Sequence, residues 1–158
     1  MIDKNQAIID FLMECPQIAF NSTYFNFTNA KDNSKSIITD GNDRAINRPY
    51  IDGSVQKRYT FTIIDFRSMT DLAIPKDPSL VNENVEELLD VQGIIDWVTD
   101  KADNLEFPDF GEECLIDDMR TTSNNPILNG VDSTGSPRLA KYSMSIIIDY
   151  IDNSKKIS

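Results

Sequence analysis

Apolar residues recur along the chain with two different periods, and each change of period marks an element. In residues 3–14, Ile8, Ile9, Leu12 and Met13 make a stripe at helical spacing. Asp3 stands at the N-cap position of that helix, and Pro16 is expected to stop it. Residues 24–28 then alternate aromatic and polar side chains, and residues 36–39 form a second short strand-like run. Lys31-Asp32-Asn33-Ser34 between them reads as a hairpin turn. Asp40-Gly41-Asn42 is a further turn, and residues 44–51 read as extended, with Pro49 favouring an edge or a break. The Asp52-Gly53 turn opens the longest strand pattern, about residues 55–67. Tyr59, Phe61 and Ile63 fall on one face of it, and Arg58, Thr60, Thr62 and Ile64 on the other.

The second half repeats the contrast. After a loop at 68–79 broken by Pro75 and Pro78, residues 82–104 carry the main helical pattern. Val85, Leu88, Leu89, Val91, Ile94, Ile95, Val98, Ala102 and Leu105 lie mostly on one stripe. Asn84 with Glu87 fits a capping pair, and Glu83, Glu86 and Glu87 suit the positive end of the helix. Gly93 interrupts the pattern at a cost of about 1 kcal/mol relative to alanine. The expectation is one continuous helix or two short ones hinged near that glycine. Residues 108–111 read as a turn, 113–121 as a strand, and 123–137, rich in turn formers, as a loop. In residues 139–151, Tyr142, Met144, Ile146, Ile148 and Tyr150 face one way, the pattern of a strand buried on one side.

The order helix, strands, long helix, strands predicts an α+β fold: a mainly antiparallel β-sheet flanked by helices that cover one face. The 158 residues suit a single domain, 1–158, with residues 1–20 as an N-terminal helix and lead-in. Residues 153–158 are polar, follow the last strand and read as a mobile tail.

Composition narrows the function. A formal net charge of -11 argues against nucleic-acid binding by counterion release, which needs a basic face. It is compatible with a surface that lets DNA pass without holding it. The N-terminus has no apolar core of a targeting signal, and no run approaches the length of a membrane span. The Asn21-Ser22-Thr23 and Asn26-Phe27-Thr28 triplets match the glycosylation pattern and read as chance matches. Cys15 and Cys114 read as free core thiols rather than a disulfide.

Catalytic equipment is scarce. The chain contains no histidine, which removes histidine-based triads, the commonest general base and histidine metal sites. Neither nucleotide-binding glycine fingerprint occurs. The adjacent acids Asp117-Asp118 and Glu112-Glu113 point to opposite faces if they lie in a strand, so neither pair makes a shared site. The segments Asp40 to Asp43 and Asp132 to Gly135 lack calcium-loop spacing and read as Asx turns. Trp97 reads as helix packing, and Phe25 with Phe27 as core, since no basic neighbours accompany them. No catalytic, cofactor-binding or metal-binding residue is assigned, and an enzyme is not expected.

One combination of features carries a family resemblance. A Tyr-Ile-Asp-Gly turn (Tyr50 to Gly53) leads through basic and polar residues into an aromatic-rich strand ending at Arg67-Ser68. An acidic helix follows, with Val91-Gln92-Gly93-Ile94-Ile95, then Asp96-Trp97 and a Leu105 to Pro108 exit. The last strand carries Ala140, Tyr142 and Tyr150. In this order, over residues 44–152, the chain resembles the tail terminator and minor tail (minor capsid) proteins of tailed phages and prophages of Gram-positive bacteria. The resemblance implies a structural virion protein that caps the head-proximal end of the tail tube as a hexameric ring and joins tail to neck. The implied partners are five further copies of the chain, the tail tube protein and a neck or head-completion protein, with DNA passing through unbound. The implied location is the tail–neck junction of the virion, after assembly in the host cytoplasm. The exposed turns supply the candidate contact residues: Tyr50, Ile51, Asp52, Gly53 and Ser54 in one, and Asn129, Gly130 and Asp132 in the 123–137 segment.

Three classes of function stay in view. The first is the tail terminator, or a sibling neck or head-completion connector. The second is a small acidic DNA mimic that occupies a basic groove on a host protein; it requires carboxylates on one continuous face. The third is a carboxylate-dependent hydrolase, which requires two acids converging in a pocket.

Overall fold

The computed structural model of the chain describes residues 3–19, 21–40 and 44–157. The turn expected at Asp40-Gly41-Asn42, and the segment that runs on to Asp43, fall largely outside these residues. Three helices and seven strands are present among those described. Helix α1 (Lys4–Leu12) is capped by Asp3, whose side chain accepts from the Asn5 N–H at 2.9 Å. Pro16 does not end the helical region. It opens a second short helix, α2 (Pro16–Ala19), because a proline at a first helical position gives up no needed donor.

The sheet is built on two strands of equal length, β4 (Val55–Ser68) and β7 (Leu139–Asp152). They pair antiparallel without a slip, from Val55 opposite Asp152 to Ser68 opposite Leu139. Each has short strands in tandem along its outer edge. On the β4 side lie β2 (Lys35–Thr39) and β3 (Arg44–Ala45), with β1 (Thr23–Phe25) outside β2. On the β7 side lie β5 (Cys114–Thr121) and β6 (Ile127–Asp132). The fold is therefore α+β as expected, but the sheet is mixed, because β1 runs parallel to β2.

Two local expectations are corrected here. Residues 31–34 are not a hairpin turn. Asn26 and Asn33 take the left-handed backbone region (φ 50° and 63°), and the chain travels back beside the sheet before β2 begins in the direction of β1. Asn33 donates its N–H to the Phe66 carbonyl at 2.8 Å, which anchors that return. Residues 123–137 are not wholly loop, since β6 occupies their middle. Its apolar residues Ile127, Leu128 and Val131 pair along β7, and a bulge between Leu128 and Val131 takes up the intervening Asn129-Gly130.

Helix α3 (Glu83–Asp103) runs unbroken through Gly93. A Cβ at that position would stand 2.3 Å from Nε2 of Gln17, so the glycine makes room for α2 against the helix. The cap is Asn82 rather than Asn84: its side chain accepts from the Asn84 N–H at 3.0 Å. Asn84 instead hydrogen-bonds both backbone groups of Thr70 and ties the preceding loop to the helix start. At the other end Leu105 adopts a left-handed conformation (φ 58°), and the Leu105 and Glu106 N–H groups close back on Ala102 and Lys101.

One core joins the three helices to one face of the sheet. Ile8, Phe11 and Leu12 of α1, Ile18 of α2, and Val91, Ile94, Ile95 and Val98 of α3 bury against Tyr59, Phe61, Ile63, Met144, Ile146, Ile148 and Tyr150. The face predictions for both long strands hold. Trp97 packs on Phe11, with ring centroids 4.9 Å apart. Phe25 packs against the core, whereas Phe27 does not: it is exposed at the edge of the Tyr24 ring. Cys15 is buried and Cys114 half-buried, and the two are not joined in a disulfide.

Candidate functional site

The sequence-predicted contact residues gather at the two ends of the central ladder. Tyr50 to Ser54 form a closed turn just before β4. Gly53 donates to the Tyr50 carbonyl at 2.9 Å, and Tyr50 donates to the Ser54 carbonyl at 2.8 Å. Asp52 locks the turn by accepting from the N–H and the hydroxyl of Ser54, at 3.0 and 2.6 Å. The Ser54 bonds hold the Asp52 carboxyl below its ordinary pKa. Gly53 has φ 88°, and a Cβ there would lie 2.3 Å from the Lys155 carbonyl oxygen, so two separate constraints require glycine.

The close approach to Lys155 arises because the C-terminal segment folds over this turn. Ile157 donates to the Asp52 carbonyl at 2.6 Å, Lys156 donates to the Asn153 carbonyl, and its ammonium lies 3.8 Å from the Asp52 carboxylate. Residues 153–157, read from sequence as a mobile tail, thus have defined hydrogen bonds to the turn. Together they shape a shallow cleft lined by Tyr50, Ile51, Leu115, Ile151 and Lys156. Ile51 projects fully into solvent at its rim (103% relative exposure).

The second group lies at the far end. Asn129 and Gly130 (φ 143°) form the β6 bulge, and Asp132 ends the strand in an Asx turn, accepting from the N–H and hydroxyl of Thr134. On β7, the partners of β6 (Ala140, Tyr142) are roughly ten residues from Ile151, the partner of Leu115. At a rise near 3.3 Å per residue the two groups stand about 33 Å apart. They do not form one site; they form two.

The far site contains residues that the sequence reading placed on the stripe of the main helix and in the 123–137 loop. Leu89, Val85 and Leu88 of α3 are exposed, as are Leu128 and Val131 of β6. Leu128 and Val131 oppose Tyr142 and Ala140, so their side chains stand on the helix-covered face of the sheet. Gln92, one turn beyond Leu88 and Leu89, donates to the Asn124 carbonyl at 2.8 Å and holds this flank of α3 beside the start of β6. The helix is long enough to run past the sheet-covering core, so its first two turns leave their apolar stripe open. A helical pattern gives the stripe but not where its cover ends.

Two ionic networks flank these surfaces. In the first, Lys35 and Asp65 are fully buried and 3.0 Å apart. Arg67 grips Asp65 through two bonds, at 2.9 and 3.0 Å, and reaches Glu87 and Asp90 of α3. Burial opposes the Arg67 charge, but the hydrogen bonds it donates to Asp65 and Asp90, with their negative charge, outweigh it and raise the guanidinium pKa. Burial lowers that of Lys35 despite Asp65. The signal for this network was present: Asp65 and Arg67 continue the period-two face of Tyr59, Phe61 and Ile63. In the second network Asp149 receives two bonds from Arg58, at 2.7 and 3.1 Å, and one from Arg120 at 3.1 Å. Burial works to raise the Asp149 pKa, but the two arginines bring it below the ordinary value. Arg120 also pairs with Asp118, so one member of the Asp117-Asp118 pair is absorbed into this lattice.

A third feature is an open cleft of about 530 Å³ between α1 and the segment after α3. Its floor is Ala7, Phe11, Phe107 and Pro108, and its rim carries Asp3, Asp10, Glu14, Glu106 and Asp109 beside Lys101. Among the described residues, no group of three or more His, Cys, Asp or Glu side chains is placed to hold a metal ion. No described helix is long and apolar enough to cross a membrane. No protein-family model matches the chain, and no curated protein matches it.

Proposed function

We propose that the chain is a structural virion protein, a tail terminator that forms a ring on the head-proximal end of a tail tube and links it to the neck. The observation that carries this reading is the pair of exposed apolar surfaces at opposite ends of the β4–β7 ladder. A closed ring of identical subunits needs two different surfaces on each subunit, one to give and one to receive. The ladder is a stiff spacer between them, and the turn at Tyr50 to Ser54 belongs to the motif order that resembles the tail terminator family. The strong negative charge adds support, since an acidic bore does not retain phosphates. On this reading the chain is not an enzyme and works without a cofactor. A neck or head-completion connector would use the same geometry.

The test is tube growth. Purified chain added to polymerising tail tube protein is expected to stop elongation and leave a ring-shaped cap on one tube end in negative-stain images. Unchanged tube lengths with bare ends would overturn the reading. One observation favours a second reading, the acidic DNA mimic: five carboxylates line the cleft beside α1. That reading predicts a soluble complex with a basic host protein and no effect on tubes.

A further inference from the structure

We infer that the two apolar surfaces are halves of one interface, the turn surface of each subunit docking on the α3–β6 surface of the next copy of the same chain. The inference rests on the ring reading and specifies the contact that the ring would use. The first surface presents Tyr50 and Ile51 from the turn, Leu115 from β5 and Ile157 from the C-terminal segment, all exposed. The second presents Leu88 and Leu89 from α3 with Leu128 and Val131 from β6, also exposed. Exposed large apolar side chains grouped at one end of a fold mark a docking surface.

The occupant is set by charge and by shape. Lys155 and Lys156 border the first surface, and both are exposed. Glu86 and Asp90 border the second, one helical turn or less from Leu89, with Glu83 a turn further back, and all three are exposed. Lys156 already has Asp52 beside it and Asp90 has Arg67, so the complementary contact falls to Lys155 on one surface with Glu83 and Glu86 on the other, whereas the acidic α3–β6 surface placed against itself brings like charges together. In shape, the first surface is a projecting knob around Ile51. The second spreads over the exposed flank of α3 and the edge strand β6, which the Gln92–Asn124 bond holds on the same side. Two different surfaces on one chain, about 33 Å apart along the sheet, give a head-to-tail contact that is not self-complementary.

The experiment uses the full chain and two surface variants, Ile51→Asp and Leu89→Asp, followed by sedimentation velocity. Both positions are solvent-exposed, so the variants are expected to keep the wild-type circular dichroism and melting temperature. The wild type is expected to form a closed oligomer. Each variant alone is expected to be monomeric, because each lacks one half of the contact. Mixed in equal amounts they are expected to form a heterodimer and nothing larger, since the intact turn surface of the Leu89 variant meets the intact α3–β6 surface of the Ile51 variant. A dimer of either variant alone would indicate self-complementary contacts and overturn the inference. Wild-type-sized oligomers from either variant would also overturn it while leaving the ring reading intact. A wild type that stays monomeric overturns the self-docking inference alone, and the tube-growth test then decides the terminator reading separately.

Discussion

Asp65 shows how much of this molecule rests on single residues. It neutralises Lys35 and Arg67 in a place that water does not reach: Lys35 and Asp65 are at 0% side-chain exposure and Arg67 at 3%. Buried ion pairs contribute little net stability against a well-packed apolar alternative, but removing one partner leaves an uncompensated charge. Asp65→Asn keeps the shape and removes the charge, leaving the buried Lys35 ammonium facing an amide and Arg67 with only Glu87 and Asp90 as carboxylate partners. It is expected to lower unfolding stability by about 3–5 kcal/mol, measured by urea denaturation. Lys101→Ala removes the surface Lys101–Glu106 pair and serves as the contrast, with an expected loss much smaller than that of Asp65→Asn. Equal effects of the two substitutions would refute this account of the network. The same residues mark where local reading of the sequence falls short. Alternation put Tyr59, Phe61 and Ile63 on one face; Asp65 and Arg67 continue that face, a step the sequence reading did not take. What alternation does not reveal is that Lys35 and Asp90, distant in sequence, arrive to pair with them.

At the scale of elements, the long-period signals were legible and the pairings were not. Both central strands, their buried faces, α1 with its Asp3 cap and the extent of α3 follow from spacing alone. The parallel pairing of β1 with β2 depended on two asparagines adopting left-handed backbone, a choice that turn-rich residues allow without announcing. Strand β6 was hidden for a related reason: its Asn129-Gly130 bulge has the composition of a loop. The turns at Tyr50 to Ser54 and after Asp132 were legible as turns. The exposed apolar surface near the second was not, because exposure of Leu88 and Leu89 depends on where the sheet ends beneath the helix. The end of the ladder near Val55 and Asp152 makes an acid-sensitive seam. There Lys57 pairs with Asp152 at 2.9 Å, and Arg58 and Arg120 hold Asp149. Burial opposes the Asp152 charge, but bonds from Lys57 and Ser154 bring its pKa down to about 2, and that of Asp149 is lowered too. A carboxyl with a depressed folded pKa stabilises fully above its unfolded value, near ~4, and loses that contribution as pH falls through the folded value. The urea midpoint is therefore expected to drop between pH 4 and 2. Asp152→Asn is expected to be less stable than wild type at neutral pH and to approach it at pH 2. A constant gap across that range would refute the seam.

For the whole molecule, the central claim is directional assembly. Its observed parts are a sheet with helices on one face, a projecting apolar turn at one end and exposed apolar residues of α3 and β6 at the other. On the proposed reading such a subunit would add to its copies in one sense only, and the assembly would end when the ring closes. The same closure would stop a growing tube, because a completed ring leaves neither surface free in its plane. Native mass spectrometry over a concentration series, with negative-stain images of the same samples, tests this most directly. The account predicts one closed species, six copies in the tail terminator reading, with an open centre. Monomers at every concentration, with tail tubes present as well as absent, would contradict it.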